Sequence, residues 1–89
     1  GTELVCFVVL HPGTKEGDSL RLELVDQVVV ALGKVDRPRA VYFVDDLPKT
    51  RSAKIVRRLI RARHLQEDDL GDLSSIANPE ALDSIGNCR

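Results

Sequence analysis

Aromatic residues are nearly absent from this chain. Phe7, Tyr42 and Phe43 are the only ones, too few to stack a run of nucleobases as single-strand binders do. Sulfur is scarce too. Cys6 and Cys88 lie near opposite ends; a bridge between them is allowed by count, but no spacing marks a disulfide framework. Cys6 sits inside an apolar run and reads as an inert core residue. There is no CxxC pair and no histidine cluster, so no metal site is readable. No apolar run is long enough to span a bilayer and no secretory signal is visible, which makes the cytoplasm the expected location. No global field is present either: the formal net charge is −1, so nothing drives the whole chain onto nucleic acid or membrane. Neither an internal repeat nor a low-complexity tract is found.

What is present is short and aliphatic. Eighty-nine residues make one domain at most, with limited burial and marginal stability without a partner surface. Residues 4–10 form a continuous apolar run of strand length, closed by His11-Pro12-Gly13. His11 reads as a surface turn residue. Asp18 or Ser19 can cap a following helix, in which Leu20, Leu24, Val25, Val28, Ala31 and Leu32 share a stripe. Leu22, Val29 and Val30 lie off that stripe, so the helix is apolar on more than one side. Gly33 ends it as a left-handed cap. Residues 34–38 are a linker, and residues 39–44 a second strand. Strand, helix and strand in this order suit a right-handed parallel crossover, adjacent or with a third strand between. Two strands alone make a poor sheet, and the chain begins at Gly1 rather than Met. Both features suggest the later part of a domain, excised from something larger.

The chemistry concentrates in residues 47–55, Leu-Pro-Lys-Thr-Arg-Ser-Ala-Lys-Ile. Asp45-Asp46 precede this stretch, and a helix from near Ser52 to His64 follows, with Ile55, Val56, Leu59 and Ile60 inward and Arg57, Arg58, Arg61 and Arg63 outward. Residues 49–63 hold seven Lys or Arg and no acid. Cations at a helix N-terminus oppose its dipole, a conflict that an incoming anion resolves. His64 at the other end suits the dipole. Residues 66–75 are acidic and glycine-interrupted and read as a loop or tail. A short helix over residues 80–85 then starts at Pro79, and residues 86–89 are expected to fray.

The string Leu47-Pro48-Lys49-Thr50-Arg51-Ser52-Ala53-Lys54-Ile55, followed by Arg57-Arg58, resembles the last core motif of the acyl- and aryl-CoA synthetases among the adenylate-forming enzymes. Their usual form is Pro-Lys-Thr-Arg-Ser-Gly-Lys before an arginine-rich helix, with Ala53 here in the glycine position. Leu70-Gly71-Asp72-Leu73-Ser74-Ser75 and Asn78-Pro79-Glu80 look like the tail of the short-chain, acetyl- and propionyl-type members. The resemblance implies an α+β fold, a small sheet with helices packed on it, lacking the first strand and helix of the C-terminal domain. Residues 1–65 would be the later part of that domain and residues 66–89 an acidic tail with a short helix.

The same resemblance implies a large N-terminal adenylation domain as partner, with ATP and CoA as substrates of the parent enzyme, together with magnesium. The fragment alone is expected to bind none of these and to be inactive. Lys54 aligns with the family's adenylation lysine. Lys49, Thr50, Arg51 and Ser52 would shape the loop and meet the neighbouring domain. The outward arginines would meet acids across the domain junction or, less readily, CoA phosphates. Lys54 is also a candidate site for reversible acetylation by a protein acetyltransferase and its deacetylase.

Two other readings compete. One is an interaction or phosphate- and nucleic-acid-binding module that grips with Arg57, Arg58, Arg61 and Arg63, against which the acidic flanks weigh. The other is a free-standing fragment that docks onto an adenylation domain supplied by another chain.

Overall fold

The computed structural model describes residues 3–34 and 37–88. Within the expected linker, Val35 and Asp36 lie outside the described residues, as do Gly1 and Arg89. Contacts divide the chain into two compact units, Gly1–Phe43 and Val44–Arg89. The boundary expected at residue 65 falls inside the second.

In the first unit, strand β1 is Val5–Val8, helix α1 is Asp18–Leu32 and strand β2 is Ala40–Phe43. The strands pair in parallel as direct neighbours, Val5 with Ala40 through Val8 with Phe43. The Arg39 N–H extends the pairing to the Leu4 carbonyl at 2.8 Å. Their β-branched and aromatic content suits a pleated surface; the paired Phe7 and Tyr42 rings lie 5.5 Å apart, tilted by 32°. Arg21 ties α1 to the end of β2. Its Nε donates to the Val41 carbonyl at 3.0 Å, and its guanidinium stacks over Phe43 at 4.9 Å. Val25 and Val41 are buried, whereas Leu22, Leu32 and Val30 on α1 are exposed, Val30 by 81%. The helix is thus apolar on a side that nothing described here covers.

Two expectations about α1 need correction. Neither Asp18 nor Ser19 caps it; Gly17, extended, is the N-cap, and no side chain caps the helix. Asp18 bonds Arg21 instead, at 2.8 Å. Gly33 does end the helix, with its N–H on the Val29 carbonyl at 2.7 Å. Its φ of 98° comes with a ψ of 164°, an extended region open essentially to glycine rather than the left-handed helical one.

In the second unit, helix α2 is Arg57–His64 and helix α3 is Ala81–Gly86. Leu59 and Ile85 are completely buried, joined in the core by Val44, Ile60, Ala62, Ile76, Ala81 and Leu82. Helix α2 starts five residues later than expected. The reason is local: Ala53 has φ 66°, which a right-handed helix cannot contain, and Val56 is extended at φ −103° and ψ 90°. Ile55 is consequently outside the helix and exposed. Helix α2 ends in a Schellman motif: the Glu67 N–H reaches the Ala62 carbonyl at 3.0 Å, and the Gln66 N–H reaches that of Arg63 at 3.1 Å. Arg63 does not simply face outward. It is half-buried and its Nε bonds the Leu82 carbonyl of α3 at 3.3 Å. Residues 86–88 are also more tied than expected, because the Cys88 thiol reaches the Ser84 carbonyl at 3.4 Å. No disulfide joins Cys6 and Cys88, and partial burial pushes the Cys6 thiol up from its ordinary value.

Candidate functional site: a lysine-bearing hairpin

Residues 49–55 form a tight hairpin, where a helix start was expected for the second half. Lys49 and Ile55 face each other as an antiparallel bridge. The Thr50 N–H donates to the Lys54 carbonyl at 3.0 Å, and the Ala53 N–H to the Thr50 carbonyl at 2.9 Å. The Lys54 N–H donates to Thr50 Oγ1 at 3.2 Å, and the Thr50 and Ser52 hydroxyls share a bond at 3.0 Å. Both backbone polar groups of Lys54 are therefore fixed. Its side chain is exposed, and among the described residues no hydrogen bond or ion pair holds its ammonium. A fixed backbone under a free four-carbon stem suits an ammonium that must reach beyond its own unit.

The other loop residues do different work. Lys49 is turned inward, its Nζ 3.1 Å from Asp46 Oδ1. Arg51 bonds the Ser74 carbonyl at 3.3 Å. The structure thus brings Lys49, Thr50, Arg51, Ser52 and Lys54 together in one turn, but only Lys54 points a charge outward with no partner among the described residues. The basic helix is divided in the same way. Arg58 bonds the Leu70 carbonyl at 3.2 Å and Arg63 bonds Leu82, while Arg57 and Arg61 are exposed. No acid lies in the first turn of α2, and the cations that meet its N-terminus are Arg57 and Arg58 rather than Lys49, Arg51 and Lys54.

The frame beneath the hairpin escaped sequence reading. Asp46 Oδ1 accepts the Leu47 N–H at 2.8 Å, and Asp46 Oδ2 accepts Asn78 Nδ2 at 2.8 Å. These donors, with the Lys49 ammonium, hold the Asp46 carboxyl below its ordinary value. Asn78 also donates to the Leu47 carbonyl and accepts the Lys49 N–H, each at 2.8 Å. The Ala77 N–H meets the Lys49 carbonyl at 2.8 Å, and Thr50 bridges Ile76. Pro48 is fully buried, and its carbonyl accepts the Val56 N–H at 3.0 Å. In the sequence Asp46 only preceded the motif, and Asn78 entered only as part of the tail string Asn78-Pro79-Glu80. The one usable signal was the Asn-Pro pair, whose asparagine bonds readily to a nearby backbone.

The profile of the AMP-binding enzyme C-terminal domain matches residues 1–54. An acetyl-coenzyme A synthetase of Methanothrix thermoacetophila is 44% identical over 85 residues, covering 96% of this chain and 13% of that protein. Acetyl-coenzyme A synthetase 2 of Eremothecium gossypii is 54% identical over 103 residues, covering 96% of this chain and 15% of that protein. Among solved structures, acetoacetyl-CoA synthetase from Streptomyces lividans superposes with a TM-score of 0.74 at 28% identity, over 90% of this chain and 13% of that one. This chain therefore spans about one-eighth of the length of these relatives. The reading as a nucleic-acid module finds no support among them. The chain is a member of the AMP-binding enzyme C-terminal domain family.

Proposed function

We propose that this chain is the lid domain of an AMP-forming acyl-CoA synthetase acting on acetate or a similarly short acid, and that Lys54 is its adenylation lysine. In the first step a carboxylate oxygen attacks the α-phosphorus of ATP, and the bond to pyrophosphate breaks. Two anions approach, and negative charge moves onto the leaving group. An ammonium placed between the carboxylate and the nucleotide oxygens lowers that barrier by electrostatics and alignment. In the second step the CoA sulfur attacks the acyl carbon, AMP leaves, and the thiol proton goes to solvent. The observation that carries the reading is the Lys54 hairpin, with its pinned backbone and unpartnered ammonium. The acyl and nucleotide pockets belong to the large N-terminal domain that this reading requires. Magnesium would arrive with ATP; among the described residues no group of three or more His, Cys, Asp or Glu could hold a metal ion. A cytoplasmic setting, where ATP and CoA are both at hand, goes with this proposal.

The intact enzyme should exchange pyrophosphate into ATP only when acetate or a similar acid is present; exchange indifferent to any carboxylic acid would overturn the reading. The isolated chain should not turn over, and steady pyrophosphate release by the purified fragment with ATP and acetate would contradict that. The exposure of Lys54 also supports a regulatory use. Acetylation by a protein acetyltransferase would remove the charge that adenylation needs, and a deacetylase would restore it. Modification mapping of the intact enzyme that finds acetyl groups elsewhere but never on Lys54 would reject the switch.

A further inference from the structure

We propose that Asn78 is a positioning residue for Lys54, acting through the base of the hairpin. The inference rests on Lys54 being the adenylation lysine. All the bonding groups of the Asn78 side chain are used, and all land on residues 46–49. Its Oδ1 accepts the Lys49 N–H, and its Nδ2 donates to Asp46 Oδ2 and to the Leu47 carbonyl, each at 2.8 Å. The amide orientation is fixed by chemistry, since the Lys49 N–H can only donate and the carboxylate and carbonyl can only accept. The adjacent Ala77 N–H takes the Lys49 carbonyl at 2.8 Å. Lys49 is thus held at both backbone groups by residues 77–78. It is also the residue that bridges Ile55, beside Lys54, and its neighbour Thr50 bonds both backbone groups of Lys54. The route from Asn78 to the reactive side chain therefore runs from its own amide to the Lys49 backbone and, through Thr50, to both backbone groups of Lys54.

A simple tether between the tail and the second unit would stabilise the fold without favouring either half of the reaction. A positioning residue affects the half that needs the lysine. The test uses the intact enzyme and follows acetate-dependent pyrophosphate exchange beside thioester formation from pre-made acetyl-adenylate. Asn78→Ala should lower the exchange kcat by about 10- to 100-fold, the cost of an ångström-scale misplacement. The KM values for ATP and acetate should stay within about twofold, with thioester formation largely kept. Asn78→Asp should do at least as much damage, because the donor to Asp46 is gone and two carboxylates face each other. The double variant Asp46→Asn/Asn78→Asp should recover part of the exchange lost in Asn78→Asp, since the new amide at position 46 can donate to the new carboxylate at 78, which still accepts the Lys49 N–H, while the bond to the Leu47 carbonyl stays lost. That recovery keeps the test decisive if Asn78→Ala fails to fold. Equal losses in both half-reactions, or no recovery in the double variant, would overturn the inference. Exchange unaffected by Lys54→Ala would instead overturn the reading on which it rests.

Discussion

Ala53 and Gln66 carry their backbones at φ 66° and 59°. A left-handed conformation costs a non-glycine residue about 1–2 kcal/mol, whereas a glycine there costs about 0.4–1 kcal/mol through the freedom of the unfolded chain. The first figure exceeds the second. Ala53→Gly should therefore raise stability by about 0.5–1 kcal/mol, and a urea midpoint that falls would contradict this. At position 53 the gain comes from restoring the residue that the family motif carries. Asp46 makes a prediction about pH. The Leu47 N–H, the Asn78 amide and the Lys49 ammonium lower its folded pKa. Its contribution is therefore present above the unfolded value of about 3.9 and is lost as pH falls through the folded one. With 44% of the side chain exposed, solvent screens the effect and keeps it small. Melting temperatures measured from neutral to acid pH should fall less steeply below about pH 4 in Asp46→Asn than in the parent. Asp72, lowered by the Ser74 N–H, keeps part of the slope. Identical acid limbs would show that the Asp46 bonds do not matter.

At the scale of elements, the strands and α1 were legible because their signals are local. Residues 4–10, and 40–44 of the expected strand 39–44, are apolar runs between punctuating residues, and the strands trim them to Val5–Val8 and Ala40–Phe43. The start of α2 was not legible. Residues 52–56 have a plausible helical composition, and what excludes them is the positive φ at Ala53, the bridge of Ile55 to Lys49 and the extended backbone of Val56. The bonds that tie the tail down were not legible for a different reason. Its acidic, glycine-broken composition describes the side chains facing water. It does not report the backbone carbonyls of Leu70 and Ser74 that accept Arg58 and Arg51, nor the three bonds of Asn78 across 29–32 residues of sequence. The same elements differ in how much they tolerate. Leu59 is fully buried between α2 and its surroundings, so Leu59→Ala should cost about 2–5 kcal/mol. Val30 is 81% exposed, and Val30→Ser in the isolated chain should change stability by no more than about 0.5 kcal/mol. Denaturant titration of both variants checks the contrast, and equal costs would mean that the apolar side of α1 is covered after all.

At the scale of the whole molecule, the family was legible from one nonamer, because a motif that long carries its own specificity. The residues that hold the motif in place were not, since Asp46 and Asn78 meet only in the folded chain. The account that results gives the hairpin a division of labour: Asp46, Lys49, Thr50 and Asn78 fix a backbone, and Lys54 is left free to act on substrates bound elsewhere. The most direct measurement compares the intact enzyme with its Lys54→Ala variant in acetate-dependent pyrophosphate exchange, with thioester formation from pre-made acetyl-adenylate run beside it. The account predicts that exchange falls by about 100-fold or more, as when a group that stabilises charge in the transition state is removed, while thioester formation is largely retained. Equal exchange in the two proteins would contradict it and leave Lys54 an ordinary surface residue on a domain whose fold alone marks its family.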